Sequence, residues 1–325
     1  MTTPSAHATW VISDGAAGNE RQALALAEAL GDATPRVWRL RAHRPWRWLA
    51  PHRLPGAQAA FGREFAQALA APPRLAIGCG RQAALATRLL REHGVPVVQI
   101  LDPRIGSAYW DVVVAPAHDR LAGANVVTLC GSLHPIDDAW LARARREFAQ
   151  FAALPAPRIG LLLGGPVRAA RLDEAWWDGL AEMLTHWLER DGGSLLVTGS
   201  RRTPAWLADA ARERFRQVPG LRWFGEADGP NPYPGLLAWA DRLVVSPDSV
   251  NLLSEACATR APVYVHMPGP VRGRHGEFLH ELVTRARIRP MKFTPGDWPA
   301  TPLRELPRVA AEVRRLLDRN TPRQA

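Results

Sequence analysis

Along the chain, short runs of apolar residues alternate with longer stretches in which apolar residues recur at helical spacing. Short apolar runs, such as Thr9–Ser13 and residues 159–163, are each followed by a turn that contains glycine. Longer stretches come next, with apolar residues at helical spacing, as in residues 19–30 and 173–189. Buried strands that alternate with helices are typical of parallel sheets with helices on both faces. The pattern therefore predicts an α/β protein.

This unit of strand, turn and helix starts again in the second half of the chain. The other predicted strands are residues 75–77, 95–101, 112–115, 126–129, 195–198, 243–245 and 262–266. The other predicted helices are residues 82–92 and 138–151, a helix opening at Asn231, one capped near Ser249, and a final helix over 303–318. Pro155 and Pro157 cannot continue a helix, so residues 153–158 are predicted to form a linker. The expected domains are residues 1–154 and 155–325.

Composition bounds the picture further. A chain of 325 residues at 47% hydrophobic content is long enough for two domains with full cores. The net charge of +10 suggests a nucleic-acid partner, but Lys292 is the only lysine and no recognition motif for DNA or RNA accompanies the arginines. We therefore expect no nucleic acid as partner. The charge still raises the local concentration of phosphates and of anionic membranes.

Cysteine usage and hydropathy point to the compartment. Cys79, Cys130 and Cys257 are far apart and form no CxxC pair or metal-ligand spacing, which favours a reducing environment and no metal site. The chain shows neither a basic, then apolar, leader pattern nor a run of about 20 apolar residues. These features predict a cytoplasmic protein.

The turns of the first half carry candidate chemistry. Gly15 and Gly18 let backbone amides approach a ligand, with Asp14 as a candidate general base and Asn19 as a candidate ligand contact. The alternative is a plain turn before a helix capped by Asn19. Arg81, after a second glycine turn, can clamp a phosphate, or it can be a solvated arginine at a helix start.

Two further loops follow strands in this half. Asp102 and Arg104 lie in the first loop, where both are candidate substrate contacts. His118 and Asp119 lie in the second, where an imidazole beside a carboxylate is a candidate general base for an acceptor hydroxyl. The alternative is that Asp119 caps a helix and His118 is an ordinary hydrogen-bonded side chain. The serine-hydrolase elbow, the Walker lysine and the HExxH zinc motif do not occur.

The second half carries the stronger phosphate pattern. Gly164 and Gly165 open a turn after a strand, where backbone can approach a diphosphate. A second turn brings together two guanidinium groups, hydroxyls and a helix N-terminus, which together favour phosphate. Its residues are Ser200, Arg201, Arg202 and Thr203. Surface ion pairs are the alternative role of the two arginines.

A single acid, Glu255, lies in an otherwise apolar helix. Its carboxylate can accept two hydroxyl hydrogen bonds from a ribose, while the amides near Asp248 and Ser249 at the start of the same helix favour phosphate. Asn231 and Tyr233 open the preceding helix and complete the predicted nucleotide or nucleotide-sugar site. The alternatives for Glu255 are a solvent-facing side chain or an ion pair with Arg260.

One segment suggests a surface partner. Residues 36–53 mix arginines with Trp38, Trp46 and Trp48, a combination found at the headgroup boundary of anionic membranes. The alternative is that Val37 and Leu40 belong to a core strand while the tryptophans cover a domain edge. Pro45 and Pro51 exclude one long amphipathic helix. A peripheral position on the inner face of the membrane is thus the second expectation for location.

Taken together, these motifs resemble the bacterial relatives of the plant "elongated mitochondria" fission-protein family over nearly the whole chain. The resemblance rests on Trp10 with DGAAGNERQ, DPR at 102–104, PAHD at 116–119, GG at 164–165, TGSRRTP at 198–204, and NPY, DSVNLLSEA and APV between 231 and 263. It implies two Rossmann-like domains facing a cleft, as in GT-B glycosyltransferases, with the final helix packing back across the domains.

The resemblance also implies a function. A nucleotide-diphosphate sugar would bind the second domain, with Glu255 on the ribose, Ser249 on the diphosphate, and Arg201 and Arg202 replacing a metal ion at the leaving group. The expected activity is metal-independent transfer of the sugar to an envelope or lipid-linked acceptor, without a cofactor. A nucleotide-sugar epimerase of the same fold is one alternative. A non-catalytic adaptor is the other, because the plant member acts as an adaptor for a dynamin-like protein in organelle division.

Overall fold

The first compact unit of the protein is built on a parallel sheet. A computed structural model describes residues 8–320, and residues up to Pro135, together with those from Glu305 onward, form this unit. Its strands are β1 (Thr9–Ser13), β2 (Arg36–Arg39), β3 (Leu75–Cys79), β4 (Val97–Ile100), β5 (Val112–Pro116) and β6 (Val126–Leu129). Its helices up to residue 135 are α1 (Ala17–Ala29), α2 (Trp46–Leu49), α3 (Arg63–Ala68) and α4 (Arg81–Glu92).

All six strands pair in parallel in the order β2-β1-β3-β4-β5-β6. Trp10 and Ile12 face a cluster with Trp38 and Phe65 on one side of the sheet, whereas Val11 faces α1 on the other. The strands therefore read as continuous apolar runs because both faces are covered.

The second compact unit spans Ile136 to Arg304 and contains another parallel sheet. Its helices are α5 (Asp138–Glu147), α6 (Glu174–Asp191), α7 (Ala205–Arg214), α8 (Tyr233–Trp239), α9 (Val250–Cys257) and α10 (Gly273–Thr284). Its strands are β7 (Arg158–Leu163), β8 (Ser194–Gly199), β9 (Gly220–Trp223), β10 (Arg242–Val245), β11 (Val263–Val265) and β12 (Ile288–Pro290). They pair in the order β12-β11-β10-β7-β8-β9. The predicted α/β class with two Rossmann-like units is confirmed.

The last helix, α11 (Leu306–Asn320), belongs to the first unit. Val309 and Val313 are fully buried against the core that α1 and the sheet enclose, whereas Arg314 and Arg315 are exposed. This helix therefore lies beside α1 on the same face of the first sheet, where it covers β5 and β6.

The boundary between the units differs from the expected one at residue 154. Helix α5 belongs to the second unit, because Arg145 donates to the carbonyl of Ala238 at 2.8 Å and Phe148 packs against Gly235 of α8. Asp138, at the start of α5, pairs with Arg260 and Arg304 of the same unit. The prolines near residue 155 thus lie inside the second unit and not between the units.

Within residues 8–320, none of the helices is both long and apolar enough to cross a membrane.

Candidate functional site

The predicted site residues lie at the carboxyl ends of parallel strands in both units. The first strand order reverses direction between β1 and β3, and the second between β7 and β10. In sheets of this kind, ligands bind beyond the carboxyl ends of the strands at such a reversal. The turn and helix start after β1 carry Asp14 to Asn19, and helix α4 after β3 starts at Arg81. The turns after β7 and β10 carry Gly164, Gly165 and Asp248.

The turn after β1 is held by its own aspartate. Gly15 has φ +82°, a conformation that suits glycine, and Asp14 Oδ1 accepts hydrogen bonds from the Ala16 amide at 3.0 Å and from Asn19 Nδ2 at 3.2 Å. Helix α1 begins at Ala17, so Gly18 and Asn19 lie in its first turn. The alternative that Asn19 caps this helix is wrong, because the N-cap residue is Ala16. The role of Asp14 as a base stays a prediction.

The guanidinium of Arg81 is engaged by backbone. Its Nη1 donates to the carbonyls of Trp48 at 3.0 Å and Ala50 at 2.9 Å, and its Nη2 donates to the carbonyl of Arg47 at 3.0 Å. Arg81 thus ties the segment around α2 to the start of α4. Its role as a phosphate clamp stays a prediction, and a phosphate would have to compete with these three acceptors.

The next two strands of this sheet end with the other candidates. After β4, Asp102 Oδ1 accepts from the Arg104 amide at 2.8 Å, and its Oδ2 lies 3.7 Å from Arg104 Nε. After β5, His118 and Asp119 are half-buried in a 3₁₀ turn. The sheet therefore brings Asp14, Arg81 and these two loops to one edge.

At the reversal in the second sheet, a buried carboxylate organises the turns. Asp248 has a fully buried side chain that accepts hydrogen bonds from the Gly165 amide at 3.0 Å and from Ser246 Oγ at 2.6 Å. Ser246 Oγ in turn accepts from the Gly164 amide at 2.8 Å. A Cβ at Gly164 would overlap the Asp248 carboxylate, and one at Gly165 would overlap the carbonyl of Arg202. The glycine pair is therefore required by this close approach.

The turn after β8 joins the same network. Arg202 Nη2 donates to Asp248 Oδ2 at 2.8 Å, and the amide of Arg202 donates to Ser200 Oγ at 3.1 Å. Thr203 Oγ1 donates to the carbonyl of Gly164 at 2.6 Å and accepts from the Ser200 amide at 2.8 Å. The charge of Arg202 is thus compensated by Asp248. Arg201 is exposed and makes no hydrogen bond or ion pair with any residue between 8 and 320.

Glu255 is buried in α9, with 2% of its surface exposed. The hydroxyl of Tyr233 donates to its Oε2 at 2.5 Å, and Asn231 Oδ1 accepts from the amide of Tyr233 at 3.0 Å. Ser249 caps α9 by accepting from the Leu252 amide. Both alternatives for Glu255 are wrong, because its carboxyl is buried and Arg260 pairs with Asp138.

The segment of residues 36–53 divides between core and surface. The alternative for this segment is correct in that Val37 lies in strand β2 and Leu40, directly after it, is buried in the first core, although 37% of Val37 is exposed. It is wrong for Trp38, which is buried in the same core and does not cover a domain edge. Strand β2 directs alternate side chains to opposite faces, and Trp38 takes the inner one. Trp48 is 62% exposed under the guanidinium of Arg44. Docking to an anionic membrane stays a prediction.

Sequence reasoning missed three groups at the second edge. One is Ser246, the link between Gly164 and Asp248. The others are a set of arginines and a histidine that line a cavity of about 560 Å³, namely Arg168, Arg171, Arg272 and His266. The rule that locates ligands at carboxyl ends of strands would have found them, because they follow β7 and β11.

Two kinds of chemistry have no support at these edges. In the described part of the chain, no group of three or more His, Cys, Asp or Glu side chains is placed to hold a metal ion. The three cysteines are free buried thiols, and burial raises the pKa of Cys257 to about 12. A buried thiol with a raised pKa is a poor nucleophile.

Comparison with solved structures agrees with this fold. A UDP-GlcNAc 2-epimerase from Methanocaldococcus jannaschii aligns with TM-score 0.55 and 12% identity, covering 95% of this chain and 99% of that one. A UDP-GlcNAc 2-epimerase from Neisseria meningitidis, solved with UDP-GlcNAc bound, aligns with TM-score 0.52 and 11% identity, covering 97% and 100%. The likeness confirms the GT-B-like fold and, at such low identity, shows the fold alone.

Comparison with curated sequences identifies the family. Mitochondrial fission protein ELM1 of Arabidopsis thaliana is 33% identical over 278 residues, covering 75% of this chain but only 64% of its own length. Protein RP120 of Rickettsia prowazekii (strain Madrid E) is 23% identical, covering 94% of this chain and 97% of its own. The family model for mitochondrial fission ELM1 matches residues 17–317. The chain therefore belongs to the mitochondrial fission ELM1 family.

Proposed function

We propose that this protein binds a nucleoside-diphosphate sugar on its second unit and transfers the sugar, without a metal ion, to an envelope or lipid-linked acceptor. The observation that carries the proposal is the Glu255 carboxylate, which helix α9 holds in the interior of the unit and which accepts a hydrogen bond from the hydroxyl of Tyr233. A buried carboxylate needs donors, and two ribose hydroxyls are donors of the same kind.

In this proposal the Tyr233 hydroxyl occupies the position of a ribose hydroxyl. Ligand binding displaces it, and the ribose hydroxyls replace its hydrogen bond at Glu255. Arg201, which pairs with no other described residue, is available to the leaving diphosphate, whereas Arg202 must divide its donors between the diphosphate and Asp248. The base that removes the acceptor proton is expected among Asp14, His118 and Asp119.

The fold adds support of a general kind. The N. meningitidis epimerase of similar fold was solved with UDP-GlcNAc bound, and its structure aligns with 97% of this chain. That this chain binds a similar ligand is part of the proposal, since a protein 11% identical can share the fold without sharing the substrate.

The test is calorimetry with UDP-GlcNAc and a panel of other nucleotide sugars, preceded by a thermal-shift screen. A ligand that binds the folded state raises the melting temperature. We expect the isosteric change Glu255→Gln to weaken binding about tenfold or more, because hydrogen bonds to a charged group contribute about 1.5–3 kcal/mol each. Tyr233→Phe should leave binding equal or tighter, because nothing then has to be displaced.

The matched control is Glu281→Gln, which neutralises a partly buried glutamate of α10 that pairs with Arg285. Binding should be unchanged in this variant. The proposal is wrong if no nucleotide sugar shifts the melting temperature of the wild type, or if Glu255→Gln binds as tightly as the control does.

Two other functions remain open, each with an observation in its favour. The fold similarity to UDP-GlcNAc 2-epimerases favours an epimerase, which would isomerise the sugar in the absence of any acceptor. Family membership favours a non-catalytic adaptor, because the Arabidopsis relative is a mitochondrial fission protein. An adaptor would retain its protein partners in pull-down experiments when Glu255→Gln and Arg201→Ala are combined.

A further inference from the structure

The cavity of about 560 Å³ lies at the carboxyl ends of three adjacent strands. Its lining comes from the loop after β7, from Pro247 after β10, and from the loop between β11 and α10. These strands include the pair at which the order of the second sheet reverses. The volume falls in the range of small-molecule sites, and the position is the one at which such sheets bind ligands.

The charge that lines this cavity is positive overall. Arg168 and Arg171 approach from one loop and Arg272 from the other, and none of the three pairs with a residue in the range 8–320. Asp173 is the acidic residue of the lining, and its Oδ1 is already used to cap α6 by accepting from the Trp176 amide at 3.0 Å. Guanidinium groups bind phosphate oxygens through paired hydrogen bonds.

The backbone at the start of α10 adds to the positive potential of the cavity. Helix α10 has twelve residues and starts directly after Arg272, and its first turn carries no acidic residue. Of the side chains that the structure describes, none caps this helix. The amides of its first turn and the positive end of its dipole therefore favour an anion at the mouth of the cavity.

A buried histidine completes the lining. His266 is 5% exposed, and its Nε2 has no hydrogen-bond partner among the described residues. Its ring lies beside Trp176, whose indole donates to the carbonyl of His266 at 3.1 Å. That nitrogen is itself buried against α6, 3.0 Å from the position that a Cβ at Gly179 would take, so the histidine forms part of the cavity wall and the arginines supply the polar contacts.

We propose that this cavity is a phosphate-binding site, held by Arg168, Arg171 and Arg272 with the start of α10, for the mono- or diphosphate group of a ligand. It is separate from the arrangement of Arg202 with Asp248, where a buried carboxylate already balances the arginine. The proposal does not depend on the nucleotide sugar, because a phosphate group of any ligand has the recognised chemistry.

The experiment is isothermal titration calorimetry of the whole protein with pyrophosphate at constant ionic strength. Wild type should bind pyrophosphate, and the double variant Arg168→Ala and Arg171→Ala should raise the Kd about tenfold or more, because charge-assisted hydrogen bonds are lost. Arg272→Ala should weaken binding in the same direction. Because all three side chains are exposed, the variants should retain the melting temperature of wild type.

The matched control removes two arginines of α5 that are also exposed, Arg143→Ala and Arg146→Ala. This pair should leave the Kd within about twofold of wild type, since it removes equal charge outside the cavity. The proposal is overturned if wild type binds no pyrophosphate. It is equally overturned if the control weakens binding as much as the cavity variants, because attraction to a chain of charge +10 would then explain the result.

Two further titrations separate this site from the proposed function and identify the source of the phosphate. Glu255→Gln should bind pyrophosphate like wild type, and a loss there would contradict a site held by arginines. UDP-GlcNAc that competes with pyrophosphate would assign the phosphate to the nucleotide sugar. Simultaneous binding of both would assign it to a second phosphorylated ligand, and pyrophosphate binding without any nucleotide-sugar binding would leave this site standing while the proposed function fails.

Discussion

The turns at the two sheet reversals use glycine and arginine for different physical reasons. In the first unit, Gly15 is needed for its positive φ, and Arg81 donates only to backbone carbonyls. In the second, Gly164 is needed because the Asp248 carboxylate lies against it, and Arg202 pairs with that carboxylate. In the first unit the half-buried Asp14 bonds only within its own turn and Arg81 meets neutral carbonyls, whereas the second arrangement is built on a fully buried carboxylate.

This difference shows that a strand followed by glycine does not by itself identify a ligand site. In one unit the glycine is needed because its φ is positive, and in the other it is needed because a Cβ would overlap a neighbouring side chain. An arginine that pairs with a buried carboxylate, as Arg202 does with Asp248, is partly committed to the structure. Arginines that pair with no acidic residue are better candidates for binding a ligand. In the second unit Arg201 is one such arginine, and Arg168, Arg171 and Arg272 are others that line one cavity.

The largest expected effect separates the two glycines. Gly164→Ala should lower the free energy of unfolding by about 3 kcal/mol, because its methyl group would overlap the buried Asp248 carboxylate and displace a hydrogen-bonded network. Gly15→Ala should cost about 1 kcal/mol, since only the positive φ is strained and a Cβ there would meet no atom of residues 8–320 within 4 Å. Urea unfolding measures both.

The controls for this pair are Gly106→Ala in the first unit and Gly225→Ala in the second. Gly106 has φ −52° and Gly225 is extended at φ 170°, so neither is left-handed, and an added Cβ at either would meet no described atom within 4 Å. Each change should therefore alter stability by less than about 1 kcal/mol. Equal costs at Gly164 and Gly15 would contradict the comparison.

Much of the fold could be predicted from the sequence because the strands are buried on both faces. Continuous apolar runs such as Thr9–Ser13 and residues 243–245 have only one regular structure that suits their length and the turns around them. The order of the strands in the sheets could not be predicted, and neither could the unit to which α5 belongs. That helix belongs to the second unit through Arg145 and Phe148, whose partners Ala238 and Gly235 are about 90 residues away.

The candidate site was predictable in its position but not in its partners. The sequence placed Gly164, Arg202 and Asp248 in turns after strands, and the structure brings these three together. That Arg202 is neutralised by Asp248 depends on three-dimensional distances. Which side chains of β2 face the core could not be predicted either. Val37 and Trp38 are both apolar, and a strand of four residues is too short for its pattern to show which of them faces inward.

A second prediction concerns acid. Arg242 donates to Asp191 at 2.6 Å and, through two bonds of 2.8 Å, to Asp297. Hydrogen bonds from Arg190 and Arg242 hold the pKa of Asp191 well below its ordinary value, and the bonds from Arg242 lower the pKa of Asp297. Carboxyls with a lowered pKa in the folded state stabilise it above their unfolded pKa near 4, and that stability is lost as the pH falls through the folded value.

Arg242→Gln should therefore cost about 2 kcal/mol at pH 7, a figure already reduced for the 57% exposure of Asp297. Below about pH 4 the difference from wild type should shrink. Arg285→Gln, which breaks the more exposed pair of Arg285 with the partly buried Glu281, should cost less than about 0.5 kcal/mol at any pH. A constant difference between pH 7 and pH 3 would show that the arginine acts by packing alone.

The smallest effect is expected at Arg81, where the first unit relies on neutral acceptors. Arg81→Ala removes donors to the carbonyls of Arg47, Trp48 and Ala50, but water can replace them at this exposed position, so the cost should be about 1 kcal/mol. Carbonyls do not titrate, so this cost should be the same at pH 7 and pH 4, and hydrogen exchange should quicken around α2. If Arg81→Ala instead leaves exchange unchanged and weakens pyrophosphate binding, Arg81 is a phosphate clamp and the two units are more alike than their turns indicate.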